Sequence, residues 1–153
     1  MKQYFQDEHY MLQDMVRDFA ANEIAPIAEA LDKEERFPLE LIPKLAELGL
    51  LGIPFPEEYG GAGMDTLAYT LVIEELAKVD SSVAITVAAH ISLGTSPIYL
   101  FGNEEQKNAH LANLISGKYL ACFGLTEPEA GSDAGGTKTT AVRDGDEWVI
   151  NGS

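Results

Sequence analysis

A single cysteine, Cys122, is the only thiol in the 153 residues. An intramolecular disulfide is thereby excluded. Because Cys122 lies in the apolar run Tyr119 to Leu125, it is expected to behave as a small hydrophobe in a reducing compartment. Histidine is almost as scarce, with three residues. His9 and His110 fall in polar helical contexts and His90 has no carboxylate or cysteine at ligand spacing, so no metal site is expected and a hydrogen-bonded structural histidine is the default for His90. Basic residues are few: 10 Lys and Arg stand against 25 Asp and Glu, a net charge of −15. That balance excludes a nucleic-acid backbone as partner, since phosphate binding is driven by Lys and Arg displacing counterions, and it disfavours anionic membrane surfaces. The acidic surface serves solubility or docking to a basic partner. The segment Met1 to His9 has no apolar signal-peptide core and is too acidic for a transit peptide, so the mature chain is expected to start here. The expected location is cytoplasmic, or the mitochondrial matrix if a transit peptide has been removed. Finally, Ser81 to Asn103 has no Lys, Arg, Asp or Glu. A bilayer span needs roughly 20 apolar residues, and Ser92, Gly94, Thr95, Ser96 and Pro97 interrupt this one, which predicts a helix in a globular core.

Helical periodicity dominates the first two thirds of the chain, and 46% hydrophobic content supports a real core. Asp7 is placed to cap a helix carrying Met11, Leu12, Met15, Val16, Phe19 and Ala20 on one face. Pro26 ends or kinks it, with Ala25 to Leu31 continuing into the solvated run Asp32 to Arg36. Pro38 suits a first helical turn before the stripe Leu41, Ile42, Leu45 and Leu48, closed by Gly49. Gly49 to Gly63 holds five glycines and two prolines, read as a long ordered loop anchored by Ile53, Phe55 and Tyr59. Asp65 caps a helix with Leu67, Leu71, Val72, Leu76 and Ala77, and Asp80 caps the next. Asn103 and Gln106 form a capping box for a helix through Ser116, closed by Gly117.

From Tyr119 the character changes. Tyr119 to Leu125 suits a buried strand, stopped by Glu127-Pro128. A loop follows with hydroxyls at Thr126 and Ser132 and glycines at 131, 135 and 136, where backbone amides can approach an anionic or carbonyl-rich group. Taken alone, this loop is equally an ordinary connection. It lacks the lysine of a phosphate-binding Gly-Lys-Ser/Thr word, its glycine spacing is not a dinucleotide fingerprint, and Glu127, Glu129 and Asp133 would repel a bare phosphate. Thr137 to Arg143 reads as a strand, Asp144-Gly145 as a hairpin turn and Glu147 to Ile150 as the return strand. Asn151-Gly152 is a second hairpin signal at the end of the sequence, so the chain is expected to be a fragment of a longer protein.

Leu125-Thr126-Glu127-Pro128-Glu129-Ala130-Gly131-Ser132-Asp133 resembles the first signature of the acyl-CoA dehydrogenase family, Thr/Ser-Glu-Pro-x-Ala-Gly-Ser-Asp. Gly52 to Gly63 and Phe101 to Lys107 carry the resemblance upstream, over essentially the whole chain. Glu129 departs from the glycine of many members. The resemblance implies a mainly α chain: an N-terminal helical bundle domain over residues 1–118, then the first strands of a truncated β-barrel-like domain over 119–153. It implies an FAD-dependent oxidoreductase of fatty-acid metabolism that converts acyl-CoA thioesters to trans-2-enoyl-CoA, with electron-transfer flavoprotein as acceptor, a homotetrameric assembly and no membrane insertion. Phe123, Gly124, Leu125, Thr126, Glu127, Pro128, Glu129, Ala130, Gly131 and Ser132 would be the first FAD-contacting segment. Within it, the Leu125 backbone and the Thr126 hydroxyl and amide would meet the flavin pyrimidine edge. Ser132 would also approach the acyl-CoA, and Thr86, Ala89, His90 and Leu93 would face the acyl tail. No catalytic residue is assigned here, because the family's base glutamate lies in the C-terminal domain. An acyl-CoA oxidase or flavin monooxygenase on the same scaffold, and a non-catalytic helical interaction module, are the alternatives.

Overall fold

A computed structural model of the chain describes residues 4–153, so the reading of Met1 to Gln3 lies outside the described residues. The chain forms two compact units, Met1–Cys122 and Phe123–Ser153.

The first unit is helical. Helix α1 (Asp7–Phe19) is capped by Gln6 rather than Asp7, through a capping box in which the His9 side chain receives the Gln6 amide at 3.0 Å. Asp7 instead lies in the first turn, where its negative charge complements the positive end of the helix dipole. The buried face is His9, Leu12, Val16 and Phe19. Met11 lies off it at 73% exposure, because the true stripe advances by three and four residues from His9. A π-helical turn (Ala20–Ile24) leads into α2 (Ala25–Glu34), with Pro26 in the first turn of α2. The wider turn accommodates a residue that donates no amide hydrogen bond, so the chain continues where a break was expected.

Helix α3 (Leu41–Glu47) starts three residues after Pro38, which belongs to the preceding turn and not to the helix: its carbonyl accepts the Leu41 amide at 3.0 Å. Gly49 (φ +71°) closes α3, with the Gly49 amide donating to Ala46 at 2.8 Å and the Leu50 amide to Leu45 at 2.9 Å. That pair of bonds is the Schellman pattern, and the left-handed conformation it requires is why glycine stands there. Leu48 is the cap residue and is exposed rather than part of the stripe.

The loop from Gly49 to Gly63 is ordered because its anchors are inside: Leu50, Leu51, Ile53 and Phe55 are almost completely buried. It folds back on itself, with the amides of Ala62, Gly63 and Met64 donating to the carbonyls of Gly52, Phe55 and Ile53. At Gly61 a Cβ would lie 2.0 Å from the Phe55 carbonyl oxygen, so no side chain fits there.

Asp65 caps α4 (Thr66–Ala77), accepting the Ala68 amide at 2.8 Å, and Asp80 caps α5 (Ser81–Ala89) through the amides of Ser82 and Val83. The α4 core face is Ala68, Leu71, Val72, Glu75 and Leu76, which puts a carboxylate on the stripe and leaves Ala77 outside it. A second π-helical turn (His90–Thr95) joins α5 to α6 (Ser96–Phe101), so the helix runs on through Ser92 to Pro97. The helical run Ser81–Phe101 contains an 18-residue window of mean hydropathy 1.4 and is long and apolar enough by length and composition to cross a membrane. It turns Val83, Ala84, Val87 and Ile91 into the core and exposes Ile85, Leu93, Leu100 and Phe101. Helix α7 (Glu104–Ile115) carries the expected Asn103–Gln106 capping box and ends before Gly117, at φ +70°.

In the second unit, strands β1 (Thr140–Asp144) and β2 (Glu147–Asn151) pair antiparallel with Val142 opposite Val149. The turn residues are Gly145 and Asp146, one position later than expected. Only Gly145 has positive φ (+60°), which is the II′ pattern with glycine first. Both strands are exposed throughout. Tyr119 to Leu125 forms no strand, because among the described residues the strand pairing is confined to β1–β2 and a Glu127–Ala130 bridge. Cys122 is exposed there, not packed as an apolar side chain.

Candidate functional site

The signature loop is shaped by its own carboxylates. Glu127 and Ala130 exchange both backbone hydrogen bonds, at 3.0 and 3.2 Å, making Pro128-Glu129 the corner of a tight turn. Proline suits that corner because its φ is already near the turn value. The Glu127 side chain then reaches forward, where Oε2 accepts the Lys138 amide at 2.7 Å and Oε1 the Thr139 amide at 3.0 Å. β1 begins just after this clasp, at Thr140 and not at Thr137. The Lys138 amide, with Thr139, holds the Glu127 carboxyl below its ordinary pKa. Glu129 forms an ion pair with the Lys138 ammonium. A 3₁₀ turn at Ala134–Gly136 closes on Asp133, whose carbonyl accepts the Gly136 amide at 3.0 Å.

Against that tied region, Phe123 to Thr126, Gly131 and Ser132 make no hydrogen bonds among the described residues, backbone or side chain. Leu125, Thr126, Gly131 and Ser132 are all exposed, and a Cβ at Gly124 or Gly131 would meet nothing within 4 Å. The loop thus presents free amides and carbonyls, two hydroxyls and open backbone on a segment braced immediately downstream. Backbone polar groups are seldom left without a partner, so these are served by solvent or by a ligand.

In the first unit, Thr86 and Ala89 are partly buried and Leu93 is 48% exposed, so these three lie along an accessible face of the α5 run. The Thr86 hydroxyl donates to the Ser82 carbonyl at 2.8 Å. His90 points the other way. It is 1% exposed, and its Nδ1 accepts the Ala121 amide at 3.0 Å. Burial holds its pKa below the ordinary histidine value, opposed in part by the Leu114 backbone, and Nε2 has no hydrogen-bond partner among the described residues. Gly94 packs against Ala121 from the same helical run: a Cβ there would lie 2.2 Å from the Ala121 side chain.

Two polar residues of consequence were not foreseen from the sequence. Glu75 is 2% exposed and receives Gln13 Nε2 at 2.7 Å, Lys78 Nζ at 2.8 Å and Arg17 Nη2 at 3.2 Å. Its signal was present, since it stands three and four residues after Val72 and Leu71, on the apolar stripe. His9, also buried, places Nε2 3.0 Å from Asp65 Oδ1 and so joins the starts of α1 and α4. Among the described residues no group of three or more His, Cys, Asp or Glu could hold a metal ion.

Comparison with known proteins agrees with the helical fold. The family description "Acyl-CoA dehydrogenase, N-terminal domain" matches residues 6–118. A Bacillus subtilis protein named probable acyl-CoA dehydrogenase YngJ is 57% identical over 145 residues, which are 95% of this chain and 38% of that protein. A chain solved in work on the electron transferring flavoprotein of Acidaminococcus fermentans superposes with a TM-score of 0.95 at 47% identity, over 99% of this chain and 40% of that one. An acyl-CoA dehydrogenase of Bacillus anthracis, solved with FAD, superposes with a TM-score of 0.91 at 44% identity, over 98% of this chain and 26% of that one. With the helical unit, the signature loop and these matches in agreement, the chain belongs to the acyl-CoA dehydrogenase family. It spans well under half the length of these relatives.

Proposed function

We propose that the chain serves as the amino-terminal part of an FAD-dependent enzyme that oxidises acyl-CoA thioesters to trans-2-enoyl-CoA, with Phe123 to Ser132 as its first flavin-contacting segment. The observation that carries this reading is the set of unpaired amides, carbonyls and hydroxyls along Phe123 to Thr126, Gly131 and Ser132, set beside a clasped turn. When bound, FAD supplies the hydride acceptor, taking the β-hydrogen of the substrate. The residues present contribute placement and polarity. The Leu125 backbone and the Thr126 amide and hydroxyl offer donors and an acceptor to the flavin's pyrimidine edge, and donors there favour the negative charge that builds on reduction. Open backbone at Gly131 lets Ser132 approach the pyrophosphate and the CoA part of the substrate. Thr86, Ala89 and Leu93 lie on a helical face suited to an acyl tail, with His90 beneath them. No carboxylate of this chain is assigned as the base, because the family resemblance places that glutamate in the C-terminal domain; Glu75 and Glu127 are in any case occupied by hydrogen bonds. The assembly is a homotetramer located in the cytoplasm, or in the mitochondrial matrix if a leader has been removed, and it passes electrons to an electron-transfer flavoprotein.

The test is anaerobic mixing of the flavin-loaded full-length protein with saturated acyl-CoAs, followed by air. Bleaching of the oxidised flavin with formation of enoyl-CoA, and slow reoxidation by oxygen, is the expected result. Rapid oxygen consumption would assign the scaffold to an oxidase or monooxygenase, and a protein that retains no flavin would return it to an interaction module.

A further inference from the structure

Glu127 belongs to the signature word, yet its side chain spans to residues eleven and twelve positions further on, accepting two successive backbone amides at 2.7 and 3.0 Å. A carboxylate with two oxygens each holding a main-chain donor has spent its strongest acceptor directions, so it is poorly placed to approach a cofactor's carbonyls or phosphates. What it does instead is close a loop. Residues 127–139 begin and end at this carboxylate, and the loop contains the Pro128-Glu129 turn, the Glu129–Lys138 ion pair and the 3₁₀ turn at Ala134–Gly136. The loop therefore has three internal ties, while the segment before it, Phe123 to Thr126, has none of its own. Chain order makes the clasp the fixed end from which Thr126 is presented.

We propose that Glu127 is a positioning residue for the flavin segment, acting through the Lys138 and Thr139 amides and not by touching the cofactor. The inference rests on the reading of Phe123 to Ser132 as that segment. Opening the clasp leaves the free amides of Leu125 and Thr126 chemically intact but populates conformations in which they do not converge. Affinity then falls by the fraction of chains still in the competent conformation. A competent fraction reduced to about one tenth raises the apparent dissociation constant for FAD about tenfold. The ion pair between Glu129 and Lys138 is exposed on both sides and contributes little beside the clasp.

The experiment measures FAD affinity by flavin fluorescence in the deflavinated and reconstituted full-length protein, of which this chain is the proposed amino-terminal part, beside backbone amide exchange at Lys138 and Thr139. Glu127→Ala removes both acceptors, and Glu127→Gln keeps one, because its amide oxygen can take one of the two N–H groups. Lys138→Met deletes the ion pair and leaves both amides. The expected order of affinity is wild type, then Lys138→Met within about twofold, then Glu127→Gln, then Glu127→Ala about tenfold weaker. The melting temperatures should stay close together, which separates positioning from global stability. Equal FAD affinity in wild type and Glu127→Ala overturns the proposal while leaving the segment assignment standing, whereas a wild-type protein that binds no FAD overturns the assignment itself. Should Glu127→Ala fail to fold, Glu127→Gln and wild-type exchange decide: Lys138 and Thr139 amides exchanging as fast as an open chain would show that no clasp exists.

Discussion

Replacing Glu75 by glutamine tests how α1 is held to α4. The carboxylate is 2% exposed and takes hydrogen bonds from Gln13 and Arg17 on α1 and from Lys78 just after α4. Burial alone would raise its pKa, but the Lys78, Arg17 and Gln13 donors outweigh burial and hold the carboxyl below its ordinary value of 4.5. An amide in its place keeps one acceptor and turns a donor toward two cationic groups. Breaking a fully buried pair costs about 3–5 kcal/mol when the surviving charge is trapped. Here Arg17 and Lys78 are about half exposed and can rehydrate, so the expected loss is smaller, about 2–3 kcal/mol. In thermal unfolding that corresponds to a fall of roughly 5–10 °C in melting temperature. The pH dependence follows from the depressed pKa: the contribution is complete above the ordinary carboxylate value and is lost as pH falls through the lower folded value. Between neutral pH and that acid range the gap between wild type and Glu75→Gln should therefore shrink. A gap that is absent at neutral pH, or that does not change on acidification, would refute the assignment of Glu75 as the ionised tie.

Gly61→Ala would place a Cβ 2.0 Å from one backbone carbonyl oxygen and 2.8 Å from another, of Phe55 and Gly52, and should destabilise the helical unit by about 3 kcal/mol in urea unfolding. His90→Ala leaves the Ala121 amide without its acceptor, for a loss of about 1–3 kcal/mol that His90→Asn partly restores. Because the folded pKa of His90 is depressed, its pH-dependent contribution should be full above the ordinary histidine value of 6.5 and decline as pH falls below it; a pH-independent difference between wild type and His90→Asn would contradict this. Thr126→Val removes a hydroxyl proposed to meet the flavin ring and should weaken FAD binding or lower its potential by the equivalent of about 1 kcal/mol, measured by fluorescence titration and redox titration.

Legibility from the sequence followed the range of the interactions involved. Capping residues that act within three positions, Asp65, Asp80 and Asn103 with Gln106, were read correctly because cap chemistry is local. Pro26 was read as an end or kink because α-helical geometry was assumed, while the chain passes through a π-helical turn and sets the proline in the first turn of the next helix. Tyr119 to Leu125 was read as a strand from its apolar content, but strand formation needs a partner ladder that composition cannot supply. The signature loop was legible as a word. Its clasp was not, because Glu127 reaches eleven residues along the chain to amides that carry no side-chain signature. Glu75 was hidden for a related reason: its partners on α1 are 58 and 62 residues away.

Amide hydrogen exchange with and without FAD reports whether the flavin lies on Phe123 to Ser132. FAD should slow exchange at Leu125, Thr126, Gly131 and Ser132, whose amides are otherwise unpaired, and change Lys138 and Thr139 little because they are already bonded to Glu127. Stoichiometric FAD binding with protection elsewhere in the protein, and none at those four amides, would contradict that placement.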